Sequence, residues 1–158
     1  MRLAGALRDP WVLGQFAWFG VVLGLTPRLA GMLPGRTGGW GPLAGAVLLG
    51  LGLACLVRGA VDLGPNLTPA TEPVPDARLV TRGIYELVRH PIYLGVSLML
   101  AAVPLLARNA LLGGIVFVLS IAYFEGKART EERKLRVRFP RYREYAAQVP
   151  RLIPFGWR

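Results

Sequence analysis

TGGWGPLAGAVLLGLGLACLV, residues Thr37–Val57, is an unbroken uncharged run that decides the fold class. A hydrocarbon core of about 30 Å needs about 20 helical residues at ~1.5 Å each, and this stretch supplies them. Three shorter uncharged runs accompany it: Pro10–Pro27, Ile92–Ala107 and Asn109–Phe124. Snorkelling arginines and local bilayer thinning absorb the shortfall in their length. Only Arg108 and Asn109 separate the last two runs, which predicts a tight helical hairpin. The sequence therefore predicts an all-α fold, a polytopic membrane bundle of about four transmembrane helices with a C-terminal helical cap on the cytoplasmic face. The whole chain, 1–158, reads as a single integral-membrane domain.

Composition agrees. The chain is 53% hydrophobic and yet carries a net charge of +10. Both properties are accommodated if apolar segments lie in lipid and basic segments at its surface. The basic residues flank apolar runs rather than forming a soluble groove, so anionic lipid headgroups, and not nucleic acid, are the expected partner. Cys55 and His90 are single occurrences, which leaves no disulfide and no expected metal site. Arg2 and Arg8 before the first run resemble a signal peptide, but no A-x-A cleavage site follows and the other runs already require a membrane. Trp11 and Trp40 stand at run edges, where indole rings favour the interface. Gly20-x-x-x-Gly24 and Gly41-x-x-x-Gly45 offer small surfaces for helix packing.

Lysine and arginine set the orientation. With the N-terminus inside and four spans, all nineteen basic residues except Arg28, Arg36 and Arg108 fall on the cytoplasmic side. The positive-inside rule supports that arrangement, with both termini cytoplasmic in the cell membrane.

Two cytoplasmic elements carry the remaining polar residues. In Asp62–His90, Pro65, Pro69, Pro73 and Pro75 forbid a regular helix over the first half. Pro91 suits the first turn of the third span, which puts His90 at that helix's N-terminus. There it is either a plain cap or part of an anion-binding end. In Glu125–Arg158, continuation of the fourth span would put Ala128, Glu131, Glu132, Leu135 and Phe139 on one face. That face is either solvated, with a Glu132–Arg136 pair, or turned toward a pocket. Phe139, Tyr142 and Tyr145 follow at spacing three, either as packing or as the wall of an aromatic ligand. Val149-Pro-Arg-Leu-Ile-Pro154 is expected to be irregular and to fold back over the site.

Taken together, Leu79–Tyr85, Arg89-His-Pro-Ile-Tyr-Leu-Gly95, Glu131-Glu132, Phe139-Pro-x-Tyr-x-x-Tyr145 and Val149–Pro154 resemble the isoprenylcysteine carboxyl methyltransferases and related phospholipid methyltransferases. The resemblance covers about residues 60–155. It implies a transferase that uses S-adenosyl-L-methionine on a lipophilic small-molecule or lipid acceptor. It also implies that Gly83, Tyr85, His90, Tyr93, Gly95, Glu132 and Tyr142 bind the cofactor, and that Glu131, Glu132 and Arg151 act in catalysis or acceptor binding. Pro140 stands where many relatives have Gly, and the N-terminal third carries no family motif. An acceptor carboxylate would need no general base; for an amine or thiol, Glu132 or His90 would take the proton. The competing readings are an NAD(P)H-dependent membrane reductase and a non-enzymatic lipid-binding membrane protein.

Overall fold

The computed structural model describes residues 8–154. Arg2, which enters the charge count, and the last four residues of the tail lie outside the described residues. Among the described residues five α-helices follow in order: α1 (Pro10–Met32), α2 (Trp40–Leu63), α3 (Pro91–Leu106), α4 (Ala110–Arg138) and α5 (Tyr142–Gln148). Single turns of 3₁₀ helix, Gly64–Asn66 and Gly83–Glu86, bracket the proline-rich strap between α2 and α3. Among the described residues α1, α2 and α4 are long and apolar enough to cross a membrane, and α3 is a shorter apolar helix. The fold is the expected all-α polytopic bundle.

The helices overrun the uncharged runs. Charge ends a run, but it does not end backbone hydrogen bonding. So α2 passes Arg58 and stops only at Gly64, whose φ of 55° is followed by Pro65. Asp9 starts α1 by accepting from the Trp11 amide at 2.9 Å, with Pro10 in the first turn. α4 has 29 residues and is about 43 Å long, so its C-terminal portion projects about 13 Å beyond a 30 Å hydrocarbon core. That projection carries Glu131 and Glu132 out of the apolar layer.

The tightest packing joins α2 to α3. Gly52 and Gly95 face each other so closely that a Cβ on either would sit 2.6 Å from the other's carbonyl oxygen. Of the two small-residue motifs, Gly41 and Gly45 pack against the end of α3, whereas Gly20 and Gly24 meet nothing. Trp40 is exposed as an interfacial ring should be. Trp11, in the first turn of α1, is half-buried. Its ring covers Gly126 and stacks edge-on against Tyr123 of α4, whose hydroxyl donates to the Trp11 carbonyl.

One end of the bundle is closed by backbone bonds around Asn109. Its Oδ1 caps α4 by accepting from the Leu112 amide (2.9 Å), and its Nδ2 donates to the Ala30 and Leu33 carbonyls at 3.1 and 3.2 Å. Thr37 N–H donates to the Arg108 carbonyl and Ala110 N–H to the Gly35 carbonyl. Arg36 and Arg108 both lie in this closure, away from the remaining cationic residues of α4 and α5.

Candidate functional site

At the other end a cavity of about 350 Å³ opens among α1, the strap, α3, α4 and α5. It spans residues His90 to Val96 on α3 and Phe124 to Leu135 on α4. Its size is that of a small-molecule site. Phe124, Lys127, Glu131 and Leu135 reach it together because i, i+3, i+7 and i+11 share one helical face.

The Glu131–Glu132 pair divides. Glu131 lines the cavity and accepts from the Tyr93 hydroxyl at 2.7 Å. Glu132 is turned behind the wall and is only 2% exposed, which overturns the solvated-face reading. Arg151 grips it with Nε and Nη2 at 2.9 and 3.1 Å, Arg89 Nε stands 3.2 Å away, and His90 Nε2 lies 3.3 Å away. Arg136 is more distant at 3.7 Å. Burial alone would raise the Glu132 pKa. Hydrogen bonds from His90 and Arg151, with the charge of Arg89, outweigh it and hold the carboxyl down to about 2. Arg151 loses some basicity to burial but more than regains it from Glu132 and Glu125, which also pairs with it, so its pKa is raised.

His90 occupies the N-cap position of α3, but its side chain makes no capping bond. Its imidazole stacks on Tyr93 (5.2 Å between centroids) and bridges the carboxylates, with Nδ1 3.8 Å from Glu131. The plain-cap reading therefore fails. The terminal segment does fold back: Arg89 and His90 donate their amides to the Pro150 and Arg151 carbonyls at 2.9 and 3.0 Å. Arg89 also sends Nη1 to the Ala146 carbonyl (2.8 Å), which fixes α5 as a cap beside the cavity.

Aromatic side chains form much of the wall. Tyr85, Tyr93, Phe124, Phe139, Tyr142 and Tyr145 all line it. Phe139 does so from the extended residue that ends α4 before Pro140. Tyr145 donates to the Tyr85 carbonyl (2.6 Å), and Tyr85 to the Gly59 carbonyl (3.2 Å). Tyr142 differs. It is 2% exposed, and its hydroxyl has no partner. Burial pushes the phenols of Tyr85, Tyr142 and Tyr145 up, so each remains a donor at neutral pH.

Of the residues singled out in the sequence, Tyr85, His90, Tyr93, Glu131 and Tyr142 line the cavity, and Glu132 and Arg151 stand behind it. Gly83 and Gly95 serve the backbone. Gly83 has φ 67°, and a Cβ there would clash with Asp62, whose carboxylate accepts from the Ile84 amide at 2.9 Å. Gly95 is the close-approach residue of α3. Sequence reasoning missed Gln15, Asn66 and Lys127. Asn66 clamps the strap by bonding both the carbonyl and the amide of Arg78, at 2.9 and 3.1 Å. Lys127 was legible in principle, one turn before Glu131 on the same face. As one basic residue among many in Glu125–Arg158, it carried no separate signal.

The site therefore combines flat aromatic walls, the carboxylates of Glu72 and Glu131 and the cationic side chains of Arg78, Arg89 and Lys127 with an apolar flank of Leu63, Ile92 and Val96. Such a set suits an amphiphilic or zwitterionic molecule with an aromatic ring. The model of the Isoprenylcysteine carboxyl methyltransferase (ICMT) family matches residues 45–137. A curated relative, Protein-S-isoprenylcysteine O-methyltransferase B of Arabidopsis thaliana, is 33% identical over 79 residues. That alignment takes in 49% of this chain and 40% of the relative's length.

Proposed function

We propose that this chain, which belongs to the isoprenylcysteine carboxyl methyltransferase family, transfers a methyl group from S-adenosyl-L-methionine to a lipophilic acceptor at the cytoplasmic membrane face. The supporting observation is the convergence of two distant motifs on one cavity. His90 and Tyr93 meet Glu131 there, beside a buried Tyr142 hydroxyl that lacks a partner. A buried donor left open is costly unless a ligand completes it, and Tyr142 belongs to the wall of a cavity of fitting size.

When bound, S-adenosylmethionine supplies a methyl on a sulfonium, which passes in line to the acceptor's carboxylate, amine or thiol while the C–S bonding pair stays on sulfur. Tyr85, Tyr142 and Tyr145 would hold the adenosine by stacking and by the open hydroxyl. Glu131, fixed by Tyr93, would take the ammonium or the ribose hydroxyls. The N-terminal end of α3 at His90 would receive the carboxylate. Glu132 and Arg151 would act as positioning residues. A carboxyl held at about 2 makes Glu132 a poor base, and it would instead orient its partners Arg89 and His90. If an amine or thiol is the acceptor, the proton falls to His90 or Glu131, which lie at the cavity. Docking donor and acceptor in line supplies much of the rate. The relative's name speaks of S-isoprenylcysteine, and a prenylated carboxylate is one member of the acceptor class proposed here. The basic residues of α4 and α5 would rest on anionic headgroups of the cell membrane, with both termini cytoplasmic.

Titration of purified protein with S-adenosylhomocysteine and, separately, NADPH tests this reading. S-adenosylhomocysteine should bind and raise the melting temperature, NADPH should not, and Glu131→Gln should weaken binding by about tenfold. Binding of NADPH alone would favour the reductase reading instead.

A further inference from the structure

Lys127 is fully buried on the cavity wall, yet it forms no ion pair among the described residues. Its ammonium donates to Gln15 Oε1 at 2.7 Å and to the Pro69 carbonyl at 3.0 Å. An ammonium has three donors, so one is left over. The Tyr93 ring lies 5.2 Å from Nζ and offers partial solvation. Two neutral acceptors and a ring do not cancel a buried charge. The other buried cation of the wall, Arg89, is already matched by Glu132. Arg78 also lines the cavity but is exposed to solvent. The cavity thus holds one buried cation that lacks a direct ion pair among the described residues, with Glu131 and Asp9 acting on it only from longer range.

Its place along the cavity says what would meet it. On α4, Lys127 stands between Phe124 on the apolar side and Glu131 on the polar side. An amphiphile with its tail along Leu63, Ile92 and Val96 would bring its head to this junction. Gln15 comes from α1, which lies outside the 45–137 stretch that matches the family. α1 is fixed against the site by Asp9, which accepts from the amide and hydroxyl of Thr71, each at 2.7 Å. Trp18 donates to Ser120 at 2.9 Å.

We propose that Lys127, steered by Gln15, is a specificity residue that binds an anionic oxygen, carboxylate or phosphate, on the head of the lipophilic acceptor. The proposal rests on the cavity being the methyl-transfer site and adds to it a selection against neutral and cationic heads. It also gives α1 a part in choosing the acceptor.

The test uses full-length protein in neutral phosphatidylcholine nanodiscs saturated with S-adenosylhomocysteine. Binding of oleate, oleyl phosphate, oleyl alcohol and oleylamine is measured by displacement of a fluorescent fatty acid. At least one anion should bind about tenfold more tightly than the alcohol, with the amine weakest. Which anion leads identifies the head chemistry. Lys127→Arg should keep the preference. Lys127→Met should lose it while holding S-adenosylhomocysteine affinity within about twofold. Gln15→Glu retains the contact but supplies an internal carboxylate, so it too should lose the preference; it decides the matter if Lys127→Met fails to fold. Equal binding of all four heads to the wild type would overturn the proposal, as would a preference that survives Gln15→Glu. Loss of S-adenosylhomocysteine affinity in folded Lys127→Met would also overturn it, by assigning the lysine to the cofactor. A wild type that prefers anions but binds no S-adenosylhomocysteine would leave Lys127 its role and sink the methyl-transfer reading instead.

Discussion

Asn109 and Tyr142 are both buried polar side chains at opposite ends of the same bundle, and they are treated differently. Around Asn109 the side chain satisfies one amide and two carbonyls and neighbouring backbone groups pair across the loops, although the buried Thr37 hydroxyl there has no partner among the described residues and does not line the cavity. Around Tyr142 the hydroxyl is left open, a lysine is buried without a direct ion pair among the described residues, and both residues line one cavity. Polar groups that only hold a fold can mostly be completed by the chain itself, as all the buried side-chain groups described at the Asn109 end are, apart from the Thr37 hydroxyl. Groups that await a ligand must be left incomplete, and the stability forgone is recovered on binding.

The Glu132 cluster offers the strongest way to break this comparison. It lies at the ligand end but is built like the closed end, with Arg89, Arg151 and His90 all directed at one carboxylate. Glu132→Leu should cost about 3–5 kcal/mol, because it strands buried guanidinium charge. Thermal or denaturant unfolding in detergent would register that loss. The same cluster predicts an acid limb. Its folded pKa of about 2 lies below the ordinary 4.5, so its stabilisation is complete above pH 4.5 and drains as pH falls toward 2. A Glu132→Gln variant should show a flatter stability profile over that interval.

Asn109→Ala probes the closed end. It strands the Leu112 amide and two carbonyls and should cost about 2–4 kcal/mol. In the folded fraction the affinity for S-adenosylhomocysteine should be unchanged, as measured by calorimetric titration. An altered affinity would mean that the two ends are coupled. The smallest effect is expected from Tyr142→Phe. Removing an unpartnered hydroxyl should leave the melting temperature equal or slightly higher, while S-adenosylhomocysteine affinity falls about three- to tenfold. A destabilised Tyr142→Phe would show that the hydroxyl already has a partner and would erase the contrast between the ends.

Much of the architecture can be read directly from the chain. Uncharged runs, the two-residue Arg108–Asn109 link and Pro91 in a first turn are local patterns, and each became the expected helix, hairpin or helix start. Run boundaries were less faithful. Helices end where hydrogen bonding ends, at Gly64 or before Pro140, and not at the first arginine. The site was legible as a set of residues but not as an arrangement. Glu131 and Glu132 are adjacent in sequence and about 100° apart around a helix, so only the neighbours decide which faces the cavity. Gly20-x-x-x-Gly24 and Gly41-x-x-x-Gly45 look alike, but only the second has a helix against it.

By itself, then, the sequence determined an all-α membrane bundle, its charge asymmetry and the small group of residues around His90 and the acidic pair. Hydrophobic run length, proline chemistry and lysine–arginine distribution act locally, so they need no knowledge of contacts. Only the tertiary structure decided that Glu132 is an enclosed ion-pair centre, that Tyr142 is left open, and that Lys127 meets Gln15 from 112 residues earlier in the chain. Those outcomes depend on desolvation and counter-charge, and both are set by residues distant in sequence that packing brings together.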